Sequence, residues 1–282
     1  MTPNVRTILM AAFAAGSLMV AGGAVAQSEL PHPAWQGKGI KAPSKDHPLQ
    51  DIISGYHFRT KETQALQDDD LQNPGFLETE AGEPLWSKVE GAAGKSCASC
   101  HAEASKSMKG VGAAMPKWNE KLGRPVNLEQ QINLCRTEQM KADAWKFRSP
   151  ELTNMTAYVR HQSRGMPVSP RVDGPMKAWF DKGKELYYTR HGLLDMSCAN
   201  CHELNHGKFL RADYLSQGHT NGFPTYRLRD SRLIPLHERF QGCINDVRGE
   251  PYAPLSDEFV ALELYVAWRG IGLPVETPAV RN

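Results

Sequence analysis

Cys97-Ala98-Ser99-Cys100-His101 and, further along, Cys198-Ala199-Asn200-Cys201-His202 decide how this chain is read. Each is a Cys-x-x-Cys-His motif, and each is followed by one lone cysteine, Cys135 after the first and Cys243 after the second. The pattern takes in all six cysteines of the chain. Its spacing has a chemical reason. Two thiols one helical turn apart can form thioethers to the two vinyl carbons of a haem, and the adjacent histidine then swings under the iron. The motifs therefore predict two covalently bound haem c groups. Cys97 and Cys100 attach one, with His101 on its iron; Cys198 and Cys201 attach the other, with His202.

Working outward, the two motif regions read as copies of one unit. Met155-Thr156-Ala157-Tyr158-Val159 through Gly165-Met166-Pro167-Val168 matches Leu262-Glu263-Leu264-Tyr265-Val266 through Gly272-Leu273-Pro274-Val275. Such self-similarity marks repeated structural units. A helix is expected before each motif, over Leu85 to Val89 in the first copy and Met176 to Tyr188 in the second. A closing helix is expected to carry Tyr158 or Tyr265 and to be stopped by Pro167 or Pro274; the likeness to cytochrome c folds implies that it crosses the first helix. The expected fold is mainly α, two tandem cytochrome c-like domains with an N-terminal arm. The boundaries are 1–26 for a signal peptide, 27–84 for the arm, 85–175 for domain 1 and 176–282 for domain 2.

Arg6 followed by an almost uncharged apolar stretch from Ile8 to Val25, with Ala24-Val25-Ala26 as the small-x-small cleavage site, reads as an export signal. The mature chain is then expected in the periplasm, where haem c is attached, with no membrane anchor after cleavage. A formal net charge of +2 and the absence of a Lys/Arg run argue against nucleic acid as a partner. The acidic run Asp68-Asp69-Asp70 reads as a solvated turn, because no other ligand type clusters with it.

Which group takes the sixth iron position narrows in the second copy. The last methionine of the chain is Met196, before the motif histidine. That leaves Cys243, His206, His219, His237 and Lys208 for haem 2, against Cys135, Met108, Met115 and Met140 for haem 1. An exported protein seldom keeps a thiol without a use. One use would be a Cys135–Cys243 disulfide. The alternative is thiolate ligation of each iron, favoured because each copy carries one such cysteine at a matching place. Thiolate lowers the reduction potential of ferric iron and suits sulfur chemistry. Cys243 also lies between Arg239 and Arg248, cations that can stabilise a thiolate or hold an oxyanion, or else pair with haem propionates or surface carboxylates.

These residues, with Thr63 to Asp70 and Asn73-Pro74-Gly75 of the arm, resemble the SoxA subunits of the SoxAX cytochromes of bacterial thiosulfate oxidation over essentially the whole mature chain. The resemblance implies a dihaem form with His101 and Cys135 on haem 1 and His202 and Cys243 on haem 2. It implies that Cys243 is catalytic, carried in the family as a persulfide, and that Arg239 and Arg248 line the substrate site. It implies pairing with a SoxX-like monohaem cytochrome. Together they would join thiosulfate to a cysteine of the SoxYZ carrier and pass two electrons to a soluble cytochrome c acceptor. The competing readings are a dihaem electron-transfer cytochrome with no bond-making, and a thiosulfate dehydrogenase that needs no carrier.

Overall fold

Ser149-Pro150-Glu151 and Ser256-Asp257-Glu258 each begin a helix for the same local reasons. The serine hydroxyl accepts from the third helical N–H, that of Leu152 in one case and Phe259 in the other, and acidic residues sit in the first turn. The chain was described with a computed structural model covering residues 37–211 and 213–282. The expected signal peptide and the first ten residues of the expected arm lie outside the described residues. No described helix is long and apolar enough to cross a membrane.

Along the chain, strands β1 (Ile40–Lys41) and β2 (Asp51–Ile52) lead to helices α1 (Lys61–Asp68), α2 (Gly75–Glu80), α3 (Gly82–Ser87), α4 (Cys97–His101) and α5 (Ala104–Ser107). The hairpin β3 (Lys117–Asn119) and β4 (Arg124–Val126) precedes α6 (Leu128–Leu134), whose last turns widen into a π-helix over Cys135–Met140, and then α7 (Pro150–His161). The second copy runs α8 (Lys177–Tyr188), α9 (Cys198–His202), the short pair β5 (Phe209–Leu210) and β6 (Asp213–Tyr214), the hairpin β7 (Thr225–Arg227) and β8 (Arg232–Ile234), α10 (Leu236–Asp246) and α11 (Asp257–Arg269). A last strand, β9 (Ala279–Arg281), pairs in parallel with β7. The chain is mainly helical, as expected, and the element order repeats. Even the hairpins share their register: Lys117 faces Val126 as Thr225 faces Ile234.

The expected crossing of first and last helix is present in both copies, and glycine makes it. A Cβ on Gly82 would lie 2.5 Å from Tyr158 Cβ, and one on Gly183 would overlap the Ala261 carbonyl oxygen and sit 3.0 Å from Tyr265 Cβ. Only a residue with no side chain lets α3 reach α7, and α8 reach α11, this closely. Around the crossings lie two apolar clusters. One contains Trp86, Leu152, Met155 and Val159 against Cys97; the other contains Tyr187, Phe259, Leu262 and Tyr265 against Cys198. The closing helices do not run to the prolines. They end at His161 and Arg269, because Pro167 and Pro274 are used otherwise. The segments after the two helices pair with each other, Pro167 opposite Pro274, with Val168 N donating to Leu273 O and Val275 N to Met166 O. Equivalent parts of the two copies thus join directly.

The arm is tied down. Asn73 Nδ2 donates to Pro278 O, and Gln67 Oε1 accepts from Val280 N, so α1 and the turn after it dock on β9. α2, inside the stretch expected to be arm, packs on α7.

A buried ionic cluster also joins the copies. His237 on α10 accepts at Nδ1 from Leu255 N and so carries its proton on Nε2, 3.0 Å from Glu263 on α11. Asn127 donates to the same carboxylate. Arg160 on α7 donates to Gly112 O and Thr220 O, and its charge faces Glu263 and Glu129. One guanidinium serves two carboxylates. Burial, with Glu263 beside it, accordingly pushes Glu129 up to about 7 from an ordinary 4.5. The native chain therefore keeps this proton in the pH window where the unfolded chain has lost it. Stability should fall as pH rises from about 4.5 to about 7 and level off above. Glu129→Gln is expected to remove that slope and be the more stable form at pH 8, by roughly 1–3 kcal/mol. Urea unfolding at pH 5 and pH 8 checks this; equal slopes for both proteins would refute it.

Candidate haem and thiol site

A five-residue helix is too short to form unaided, yet each Cys-x-x-Cys-His motif is one. The reason is in the motif. Ser96 and Ser99 close a reciprocal capping box around α4, Ser96 N donating to Ser99 Oγ and Ser99 N to Ser96 Oγ. Ser197 and Asn200 do the same for α9. The second variable residue of each motif is thus the one that holds the turn. That turn places the two cysteines on one helical face with the histidine just beyond.

At the second site the histidine is held in one orientation. His202 Nδ1 donates to Ser216 O at 2.8 Å. The ring packs on Gly218, a left-handed residue (φ +75°) where a Cβ would stand 2.7 Å from His202 Cγ. This fixes the tautomer and leaves Nε2 for an iron. Cys243, from α10, lies next to His202, and its charge is felt by Cys198 and Cys201. Imidazole nitrogen, thiol sulfur and the two attachment thiols therefore converge. The Tyr187 hydroxyl and Arg269 Nε are buried with no protein partner, and the Arg269 guanidinium stacks 4.3 Å from the Tyr187 ring centroid. A haem propionate would satisfy such donors. The residues present fit a covalently held haem.

Of the other candidates for the iron, His237 belongs to the buried cluster and Lys208 donates to Asn205, while His219 and His206 each bond through one ring nitrogen, Nε2 at 3.0 Å from Gln217 Oε1 and Nδ1 to Glu203 O. At the first site Met115 and Met140 are buried in the core, whereas Cys135 lies close enough to Cys97 to raise its pKa after burial has done so. Cys135 also accepts from Gln131 Nε2 at 3.4 Å. None of the six cysteines is in a disulfide. Each lone cysteine sits with its own motif, so the Cys135–Cys243 disulfide is not formed.

The two sites differ in charge. Burial would push the Cys243 thiol up, but the guanidinium of Arg239, one helical turn earlier, and the neighbouring His202 bring it down to about 7. Arg239 makes no ion pair with a carboxylate among the described residues; its strongest electrostatic partner is Cys243. Arg248 is placed differently from the expectation. α10 ends at Asp246, and Arg248 follows in a left-handed turn (φ +63°), exposed, its own N–H donating to Asn245 O. It does not line the recess beside the thiol. That recess, about 230 Å³, is lined by Arg148, Arg227, Arg229 and Arg239 with Asp230, Glu238 and Asp246, and by Gly242, the neighbour of Cys243 on α10. Arg227 went unnoticed in the sequence because it stands on β7, far from the Cys243 segment. The register of the internal repeat could have found it: Arg227 occupies the hairpin position of Asn119.

With this geometry in hand, comparison with known proteins is specific. Residues 81–168 match the family model described as SoxA/TsdA, cytochrome c domain. The chain is similar to the L-cysteine S-thiosulfotransferase subunit SoxA of Pseudaminobacter salicylatoxidans, 52% identical over 86% of this chain and 85% of that one. It is similar to the protein of the same name from Paracoccus pantotrophus, at 47% over 82% and 79%. Among solved structures it resembles the crystal structure of SoxXA from P. pantotrophus, with a TM-score of 0.81, 46% identity, and coverage of 83% of this chain and 89% of that one.

Proposed function

The chain belongs to the SoxA family of L-cysteine S-thiosulfotransferase subunits, and from that premise we propose that, with a SoxX-like monohaem cytochrome, it joins thiosulfate oxidatively to a cysteine of a SoxYZ carrier. Its cytochrome c domain holds covalent haem c. Two capped Cys-x-x-Cys-His helices, each with its lone cysteine, support two such groups in tandem units over 85–175 and 176–282. The export signal read over 1–26 supports the periplasm as its place.

The observation that carries the reading is the convergence of Cys243, Arg239 and His202 beside a cationic recess. With its thiol brought down to about 7, Cys243 is substantially thiolate at neutral pH, and the thiolate is the nucleophilic form. Arg239 offsets the desolvation of a dianion that approaches it and can hold a sulfonate by two parallel hydrogen bonds. Thiosulfate held there presents its outer sulfur to Cys243. Bond formation between the Cys243 sulfur and that sulfur runs Cys–S⁻ + S₂O₃²⁻ → Cys–S–S–SO₃⁻ + 2e⁻, the middle sulfur being thiosulfate's own. Haem bound at this site supplies the path by which those electrons leave for a soluble cytochrome c. Attack of the carrier thiolate on the same sulfur forms carrier–S–S–SO₃⁻ and frees Cys243 as thiolate. The sum is carrier–SH + S₂O₃²⁻ → carrier–S–S–SO₃⁻ + H⁺ + 2e⁻.

The test is the intact mass of the carrier subunit after incubation with this protein, its cytochrome partner, thiosulfate and oxidised cytochrome c. One thiosulfonate adduct per carrier is expected for each two equivalents of cytochrome reduced. Tetrathionate without the carrier would favour the dehydrogenase reading. Reversible haem reduction with neither product would leave an electron carrier.

A further inference from the structure

The recess beside Cys243 holds a second guanidinium that the mechanism above has not used. Arg227 sits near the mouth of the β7–β8 hairpin with a half-buried side chain, and its Nε donates to Asn282 O at 3.1 Å. It lies close enough to Arg239 and Arg229 for their like charges, with burial, to pull its pKa down, while Asp230 and Cys243 act in the opposite sense. The acidic residues of the recess do not cancel this. Asp230 is shared between Arg227 at 3.3 Å and Arg229 at 3.5 Å. Glu238 pairs with Arg148 at 3.2 Å and with Arg232 at 2.5 Å, and Asp246 faces Arg211 at 3.6 Å. Arg239 makes no ion pair among the described residues; Cys243 acts on it most strongly, with Asp246, Asp213 and Asp230 further off. Four guanidiniums, Arg148, Arg227, Arg229 and Arg239, line the recess against three carboxylates, Asp230, Glu238 and Asp246, and that excess of positive charge favours an anion.

The first copy of the fold is an internal control. The hairpins superpose in register, so Asn119 stands where Arg227 stands. Gln131 stands where Arg239 stands, four residues before the lone cysteine in both copies. There the amide of Gln131 donates to Cys135, and Asn119 Oδ1 merely accepts from Leu122 N to close its turn. A neutral amide therefore satisfies both positions structurally. The second copy departs from that solution at both, and in the same sense, towards a guanidinium.

We propose that Arg227 and Arg239 form a two-guanidinium clamp that makes the Cys243 site selective for doubly charged sulfur oxyanions over singly charged ones. The clamp rests on the assignment of an oxidised-sulfur substrate to this site and adds the basis of its charge selectivity. Arg239, on the helix that bears the thiol, holds the anion beside the nucleophile. Arg227, on the hairpin, meets it from the opposite strand layer and supplies the second charge. Removing Arg227 should then lower affinity for dianions and leave monoanions nearly untouched, a signature that mere loosening of the fold does not produce.

The experiment is calorimetric binding to the haem-loaded complex with its cytochrome partner at low ionic strength, without carrier or electron acceptor. Sulfate serves as the dianion and methanesulfonate as a monoanion carrying the same sulfonate group. The wild type is expected to bind sulfate at least tenfold more tightly than methanesulfonate. Arg227→Gln should lose most of that tenfold for sulfate while methanesulfonate changes by less than about twofold, and Arg227→Lys should keep an intermediate preference. In turnover, the loss should appear in KM for thiosulfate rather than in kcat. Equal weakening of both anions, or no change for either, would overturn the clamp, as would failure of the wild type to discriminate. Because binding is read without the carrier, a preserved preference for sulfate in a protein that makes no carrier adduct would refute the transfer reaction and leave the clamp standing. If Arg227→Gln does not fold, the decision passes to Arg227→Lys, whose unchanged preference would count against the proposal.

Discussion

Cys243→Ser is expected to lower thiosulfate coupling to the carrier by about a thousandfold or more while leaving covalent haem attachment intact. The attachment thiols Cys198 and Cys201 sit on α9, whereas Cys243 comes from α10, so the substitution removes the nucleophile and spares the clamp on the cofactor. Serine is close in size, but its hydroxyl is not ionised at neutral pH. Neither Arg239 nor His202 can bring it near the value of about 7 reached by the thiol. The measurement is carrier mass after timed incubation, beside a haem count for each protein. An adduct formed by Cys243→Ser at more than a tenth of the wild-type rate would remove this residue from the centre of the reaction. Cys135→Ser is the matched comparison. Its site has Gln131 in the place of Arg239 and holds its sulfur with that amide, so a changed haem spectrum with a smaller loss of coupling is expected.

Gly183→Ala should cost about 3 kcal/mol, the upper end of the overpacking range. The added methyl would meet the Ala261 carbonyl oxygen and carbon, both backbone atoms, which cannot rotate away. α8 and α11 would have to separate, which loosens the contacts among Tyr187, Phe259, Leu262 and Tyr265 around the second motif. For a chain of this size the midpoint of thermal unfolding should fall by roughly 6–12 °C. Gly242→Ala is the comparison: in α10 a methyl would meet only Arg239 Nη1, at 3.6 Å, so helix propensity should make it neutral or slightly stabilising. Thermal melts of the two variants followed in the far ultraviolet decide the matter. A Gly183→Ala protein that melts with the wild type would show that the helices are not packed through this glycine.

Motifs and repeats were legible in the sequence because local chemistry dictates them. The Cys-x-x-Cys-His spacing is imposed by one helical turn against one cofactor edge. The second variable residue, Ser99 or Asn200, is the one that caps that turn. The closing helices were legible from the repeat around Tyr158 and Tyr265 and their crossing from the likeness to cytochrome c folds, although the glycines opposite them were not singled out. Pro167 and Pro274 misled on the helix ends. A proline forbids continuation of a helix but does not require the helix to reach it, and these two were recruited to join the copies.

The cationic environment of the thiol was only half legible. Arg239 could be named because i and i+4 on a helix are neighbours by geometry alone, and α10 realises that spacing. Arg248 was named on nearness in sequence, but a left-handed turn after the helix carries it to the surface. Arg227 was passed over, since β7 meets α10 only once the hairpin folds back. The carboxylates Glu129 and Glu263 are buried only because α6, α7, α10 and α11 enclose them. By itself the sequence determined the attachment thiols, the motif histidines, the repeat and the lone cysteine at each copy, all of them set by contacts within a turn or two of chain. The tertiary structure alone decided which charges surround that cysteine, because Coulombic and desolvation effects depend on distance through space and on exclusion of water, and neither is written in the order of residues.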